Sequence, residues 1–413
     1  MPLVTPTKDA VPATPASEAI TFVPDQSRAE RPRSFDAADF AVPHGREEDW
    51  RFTPVDRLGV LFAEGPRGVA PAESALPAMP EGVTARFVTL EQAIALGAPP
   101  PADRSAAVTA SRAGAVLHVD VPAEADLTEP VRITSDPSGE SSNDGATEGA
   151  TEPLFKHVVV TVGHHARATV VFHHTGREEF SGLVSVVTGD GADVSVVSLQ
   201  EWEDETIHLA QHDVVVGRDA TVRHIAVTLG GSIVRICTNA TYAGPGGSFE
   251  GLGVYFADAG QHLEHRLFVD HAEPNCKSNV EYKGALQGEG AHTVWVGDVL
   301  IRAVAEDTET YEMNRNLVLT DGTRADSVPN LEIETGEIIG AGHASTTGRF
   351  DDEQLFYLQS RGIPEDEARR LIVHAFFAEV IRRIGIPDVV ERLMAAIEAE
   401  LESTAALVAQ QGR

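Results

Sequence analysis

Residues Gly163–Phe172 read GHHARATVVF, and the phrase returns as GDGADVSVVSL from Gly189, GRDATVRHIAV from Gly217 and GPGGSFEGLGVYF from Gly244. These four copies start 26, 28 and 27 residues apart. Each opens on glycine, where a turn needs permissive backbone, and continues with β-branched residues alternating with polar ones, the pattern of a strand. Two further copies, GEGAHTVWVGDVLI from Gly288 and DGTRADSVPNLEI from Asp321, follow after 44 and 33 residues, which implies insertions or an irregular end. A unit of this length holds two or three short strands and cannot bury its apolar face alone, so the units stack. The expected core is therefore a β-solenoid. A β-sandwich would give regular turn signals, but not the same phrase in the same place.

Outside the repeats the composition shifts. Residues 1–34 are rich in Pro, Ala, Thr and Ser and read as a disordered tail. Residues 35–104, with EEDWRFTPVDRL from Glu47 and LEQAIALGAPP from Leu90, read as a small N-terminal helical unit. The β core is expected over 105–349, interrupted by the polar, small-residue stretch 135–153, which reads as a loop thrown out from the ordered body. From 350 to 413 the pattern turns helical. DDEQLFYLQS ends before Gly362, Pro364 opens a second helix, and Ala368, Ile372, Phe376, Val380 and Ile384 form its four-spaced apolar row. Leu371, Ala375, Phe377 and Ile381 widen that row, and Val390, Leu393, Met394, Ile397 and Leu401 form the seam of a third helix.

The 413 residues carry 63 acidic against 32 basic side chains, a formal charge of -31, which repels phosphate backbones and anionic lipid surfaces. Neither nucleic acid nor membrane is an expected partner. Two cysteines, Cys237 and Cys276, are too few for a disulfide framework and are expected as buried small residues. No apolar run is long enough to span a bilayer, so the expectation is a soluble, cytoplasmic protein.

Chemistry is sparse in the sequence. There is no GxSxG, P-loop, HExxH or dinucleotide fingerprint, so the chain does not read as a self-sufficient enzyme. QHLEHRLFVDHAEPNC holds His262, His265, His271 and Cys276. On a strand, however, His262 and His265 face opposite ways, and His265 and His271 lie about 20 Å apart. Hydrogen-bonded or solvated strand histidines are the plainer reading than a metal site. Asp298, Glu306, Asp307 and Glu309 allow a carboxylate-based carbohydrate-cleaving solenoid as a remote alternative, but aromatic platforms are few. His343, in GAGHASTTGRFDDEQLFYLQSRGI, is read as an accessible loop histidine between the last β repeat and the first C-terminal helix.

At this point the residues acquire a family likeness. RNLVLTDGTRADSVPNLEIETGEIIGAGHAS (from Arg315) and GRFDDEQLFYLQSRGIPEDEARRLIVHAFFAEVI (from Gly348) resemble the C-terminal signature of the SufB/SufD family of iron-sulfur cluster assembly proteins. HAEPNCKSNVEYKGAL from His271 resembles the family's central phrase, and REEDWRFTPVDRL resembles the N-terminal phrase of the SufD branch. The resemblance implies a mainly β fold, a right-handed parallel β-helix flanked by N-terminal and C-terminal helical segments. It implies a non-catalytic scaffold in the SUF system, paired with a SufB-like subunit and bound by a SufC-like ATPase through its C-terminal helices. Docking candidates are then Phe356, Tyr357, Ile372, Phe376, Phe377 and Val380.

The family histidine matched by His343 is implicated in cluster formation at the subunit interface, so the implied cofactor is a transient iron-sulfur cluster shared with the partner. Whether a reduced flavin joins the complex is left open. SufD rather than SufB is favoured by chain length, the N-terminal phrase, and Ala344 where SufB-like sequences carry glutamate; the rival is a SufB-like scaffold acting as a homodimer. Some SufD sequences carry cysteine two positions before the histidine. Here that position is Ala341, so a cluster at His343 needs a partner's sulfur.

Overall fold

The computed structural model describes residues 30–135, 152–349 and 352–411. Residues 1–29 of the expected tail and 136–151 of the expected loop lie outside the described residues. Chain order is already imposed before Ser34: Arg31 stacks over the Phe268 ring at 4.8 Å, Arg33 lies 3.6 Å from the Asp213 carboxylate, and the Ser34 N–H donates to the Pro101 carbonyl.

The N-terminal unit is built from short pieces. Helix α1 (Gly59–Phe62) is a single turn, strand β1 spans Thr84–Val88, and helices α2 (Leu90–Ala95) and α3 (Arg104–Arg112) follow. Thr89 and Gln92 form a reciprocal capping box on α2, and Asp103 caps α3, satisfying amides that would otherwise be orphaned at the helix starts. The unit thus runs past residue 104 to Arg112. Buried Arg104 donates to the carbonyls of Phe62, Ala37 and Phe40 at 3.0, 2.8 and 2.9 Å, tying these pieces together.

Sixteen further strands continue the chain: β2 (Val116–Val121), β3 (Val131–Ser135), β4 (Leu154–Val162), β5 (Arg167–Gly176), β6 (Glu179–Thr188), β7 (Asp193–Trp202), β8 (Ile207–Val216), β9 (Thr221–Thr228), β10 (Ile233–Tyr242), β11 (Ser248–Ala257), β12 (His262–His271), β13 (Lys277–Leu286), β14 (His292–Ile301), β15 (Thr308–Val318), β16 (Arg324–Ile333) and β17 (Ile338–Arg349). From β2 on, even-numbered strands form one parallel sheet and odd-numbered strands the other, so each rung has two strands and the stack is a β-solenoid. β1 alone runs antiparallel, pairing with β2 at the end of the even sheet.

Because side chains alternate along a strand, each sheet has an inner and an outer face. Inner rows run unbroken through the rungs, as in Ala168, Val194, Val222, Phe249, Ser278, Thr310 and Ala341. Two glycines in the rows are sterically required. A Cβ on Gly284 would meet Tyr255 at 1.9 Å, and one on Gly253 would meet Tyr282 at 2.0 Å. Each tyrosine ring lies over the glycine of the neighbouring rung.

The turns from even to odd strands explain the repeat. His165, Gly191, Asp219, Gly246, Asn275 and Asp307 all take positive φ there, 26 to 32 residues apart. Each donates its N–H to a carbonyl in the next such turn or its continuation: Asp190, Arg218, Pro245, Pro274, Glu306 and Glu337. The series therefore continues regularly through Asn275 and Asp307. The phrases at Gly288 and Asp321 belong to the opposite turns, which lead into β14 and β16. The interval of 44 residues came from changing sides of the solenoid, and the 33 residues from Gly288 to Asp321 are one rung on that second side; Asn and Asp tolerate the left-handed conformation and conceal the turn where glycine is absent.

Three helices close the chain: α4 (Asp352–Ser360), α5 (Glu365–Arg382) and α6 (Pro387–Gln411). The outer face of the odd sheet presents Val197, Ile225, Val227, Leu252, Val254 and Phe256. Val373, Phe377, Val380, Ile381, Ile384 and Leu393 of the helical region pack on that face. Burying Phe377 completely contributes roughly 1.5–3 kcal/mol. Ion pairs pin the same layer, with Arg383 on Glu250 and Glu281, Lys283 on Glu379, and Arg392 on Glu201. Among the described residues, no helix is long and apolar enough to cross a membrane.

Candidate functional site

His343 lies within β17, not in a loop. Its strand pairs with β15 over almost its whole length, and His343 stands opposite Glu312. Glycines at 340, 342 and 348 and the small residues between them suppress the usual strand signal, which is why the sequence reads as a turn. β17 ends the odd sheet and β16 ends the even one. Among the described residues, both therefore present an unpaired backbone edge, and no further rung covers the inner row that ends in His343.

The imidazole is 45% exposed, and its Nδ1 lies 3.9 Å from the Glu312 carboxylate, which is buried. Burial, with the nearby Asp298 carboxylate, pushes the Glu312 carboxyl up to about 8, and its Oε1 has no hydrogen-bond partner. Beneath it lies fully buried Trp295, whose Nε1 is likewise unpartnered. Gly297 makes room for both: a Cβ there would meet Glu312 at 2.3 Å and Trp295 at 2.4 Å. Across the mouth, Ser345 and Ser327 hydrogen-bond at 2.8 Å and link β17 to β16. Ala341, two residues before His343, shares its inner face and packs on the core.

His343 and Glu312 supply two donors, fewer than an iron or iron-sulfur site needs. Among the described residues, no three His, Cys, Asp or Glu groups converge to hold a metal ion. The other histidines are placed as strands dictate. His262 faces outward, against His292 at 3.1 Å and Glu264 at 3.2 Å. His265 faces inward and stacks on Tyr255; His271 faces inward, stacks on Tyr242 and bonds Ser278 at 2.9 Å.

Burial raises the Cys276 thiol, and pushes the half-buried Cys237 thiol up to about 11, so neither is a ready thiolate. The four carboxylates considered for glycan chemistry do not share a face. Asp298 accepts from Asn330 on the even sheet, Glu309 pairs with Lys277 on the odd sheet, and Asp307 sits in a turn.

The C-terminal candidates divide by exposure. Phe356 (72%) and Tyr357 (55%) are open to solvent on α4, and so is Leu371, which the candidate set omitted. Ile372 and Phe376 are half-buried. Phe377 and Val380 are fully buried against the odd sheet and offer no surface to a partner in this structure. The row was broad because one edge of it serves the sheet, and sequence periodicity does not say which edge.

Comparisons with known proteins bear on this architecture. Residues 145–376 match the family model described as the SUF system FeS cluster assembly, SufBD core domain. The chain is 51% identical over 377 residues to an iron-sulfur cluster assembly SufBD family protein of Mycobacterium tuberculosis, covering 90% of this chain and 92% of that one. It is 26% identical over 301 residues to the iron-sulfur cluster assembly protein SufD of Escherichia coli, covering 71% and 69%, and 27% identical over 257 residues to SufD of Bacillus subtilis, covering 60% and 58%.

Proposed function

The chain belongs to the SufBD family of the SUF iron-sulfur cluster assembly system, and from that premise we propose that it is a SufD-like scaffold subunit whose open C-terminal mouth is completed by a SufB-like partner. The observation that carries this reading is the half-built site. His343 stands on the last inner row over buried Glu312, between two unpaired strand edges, with Ala341 where a thiolate would have served. A second β-structured chain adding strands to those edges would bring its own ligands to the imidazole. The cluster is cargo here: His343 donates one nitrogen, and sulfur comes from the partner.

The chain has no P-loop, so ATP-driven work falls to a separate SufC-like ATPase. Its proposed seat is the exposed part of the C-terminal helices, Phe356, Tyr357 and Leu371, with Ile372 and Phe376 at the margin. The ion pairs from α5 and α6 to the odd sheet couple a push on those helices to the solenoid wall.

The test is co-expression with a SufB-like subunit and the ATPase, comparing wild type with His343→Ala. Native mass spectrometry establishes that the complex is intact, and visible absorption reads cluster loading. The expectation is an intact complex with loading reduced at least about tenfold; full loading in an intact complex removes His343 from the site. A stable homodimer that loads cluster without a partner would replace the SufD-like reading with the SufB-like one.

A further inference from the structure

On the outer face of the even sheet, the parallel register of β12 and β14 sets His262 directly opposite His292. Arg324 of β16 stands opposite His292 in turn. Two residues along, strand alternation returns Glu264 of β12 and Asp326 of β16 to that same face. The two imidazole rings meet edge to face with centroids 4.8 Å apart, and their Nδ1 atoms lie 3.1 Å from each other. Each Nε2 reaches a carboxylate on the far side of its ring, Glu264 at 3.2 Å from His262 and Asp326 at 2.7 Å from His292.

These partners fix the tautomers. Burial alone would raise Glu264 and Asp326, but their histidines and arginines hold both low and ionised, Arg235 and Arg266 each 3.3 Å from Glu264 and Arg324 2.7 Å from Asp326. An ionised carboxylate only accepts, so both Nε2 atoms carry protons. A neutral imidazole has a single N–H, which leaves each Nδ1 as a bare lone pair turned toward the other across 3.1 Å. Two lone pairs that close repel unless something positive stands between them. Without a metal, a proton takes that place. Burial pushes His292 below its ordinary value despite Asp326, so the shared proton leaves readily.

Histidines that ligate a metal as a rule donate their other ring N–H to a carboxylate, which is the arrangement on both sides of this pair. We propose that His262 and His292 form a two-histidine site for a divalent transition-metal ion, bound through both Nδ1 atoms, with Glu264 and Asp326 positioning the rings. Zinc holds imidazole nitrogen at about 2.0–2.1 Å, which at a tetrahedral angle sets two such atoms about 3.3 Å apart, so the rings need part by only about 0.2 Å. Among the described residues no third ligating side chain converges here, so water completes the coordination. It enters at the rim, where the side chains of His292 and Asp326 are 20% and 23% exposed. An all-nitrogen protein shell suits zinc, copper or nickel and excludes calcium and magnesium, which take oxygen.

The site is a property of the single chain and does not rest on the assembly role above. Calorimetric titration of the full chain with zinc chloride tests it, in a His343→Ala background so that the open mouth contributes nothing. Saturable binding tighter than about 100 µM is expected at pH 7.5, weakening toward pH 5.5 as the shared proton competes with the ion. His292→Gln, at the half-buried rim, is expected to abolish it in a chain that still melts cooperatively. Asp326→Asn keeps both imidazoles and is expected to weaken zinc about 10–100-fold. No saturable binding up to about 1 mM, binding that survives His292→Gln, or an affinity unaltered by Asp326→Asn would each overturn the proposal.

Discussion

The two ends of the solenoid are made by the same strand geometry and finished in opposite ways. At the N-terminal end the chain covers itself: β1 reverses direction against β2, the segment around Pro71 and Pro77 roofs the lumen, and the N-terminal unit lies over the even sheet. Farther along the stack, on β10 and β12, ion pairs also clamp that unit to the outer face of the even sheet. Fully buried Glu264 sits between Arg235 and Arg266 and accepts from Thr53, while Arg235 stacks on Trp50 at 3.8 Å. Among the described residues the C-terminal end has no such cover, and its last inner row stops at a half-exposed histidine beside two free edges. A parallel stack with an uncovered end invites edge pairing, so leaving one end open makes sense where a partner strand is wanted.

The largest way to break this contrast is at the clamp between the N-terminal unit and the even sheet. Glu264→Ala removes the carboxylate that two buried guanidinium groups share, leaving Arg235 on Asp103 and Arg266 on Asp49, and is expected to cost about 3 kcal/mol, read as a shift in the urea midpoint. A loss below about 1 kcal/mol would mean that the N-terminal unit is not held there.

Acid sharpens the contrast next. Seven buried histidines (His157, His174, His208, His212, His224, His265 and His271) are held below their ordinary value by desolvation. Unfolding lets each take a proton below about pH 6.5, so the unfolded state binds more protons and stability falls as pH falls, by up to about 1.4 kcal/mol per pH unit per group. Asp213 and Glu312, raised to about 6 and about 8, act in the opposite sense, since acid relieves the cost of burying their charge. Seven groups outweigh two, and the melting temperature is expected to drop steadily from pH 7.5 to 5. A flat profile would show that the lumen is wetter than described.

Smaller still is the difference between two histidine deletions. His208→Ala at the closed end removes a buried ring that accepts from Trp202 and is expected to cost about 2 kcal/mol or more, whereas His343→Ala is expected to change stability by less than about 0.5 kcal/mol. Equal costs would contradict the open mouth. Least disruptive is Phe356→Ser with Tyr357→Ser, expected to leave the melting temperature within about 2 °C while abolishing co-purification of the proposed ATPase partner. Undiminished ATPase recovery would move its seat elsewhere.

Much of this was legible in the sequence because the solenoid writes its turns as a repeat and its helices as a change of period. Four features were hidden for physical reasons. Asn275 and Asp307 perform the glycine's task in later turns, so the repeat seemed to stumble where it is regular. An edge strand needs a good neighbour on one side only, so GAGHASTTG can pair with β15 despite its glycines. Phe377 and Val380 carried the right spacing for docking, but the outer face of the odd sheet is itself apolar and claims them. Around Glu264, the Thr53–Glu264 hydrogen bond and the Arg235–Asp103 ion pair join residues more than a hundred positions apart, a distance at which sequence carries no local signal.

The turn amides give the molecule a direction in time as well as in space. From His165 to Asp307, each left-handed turn residue finds its acceptor in chain made later than itself. During translation, the newest completed rung therefore waits with one amide unanswered until the ribosome delivers the next. A chain stopped anywhere along the stack ends on that debt, and only the stretch reaching Glu337 discharges it.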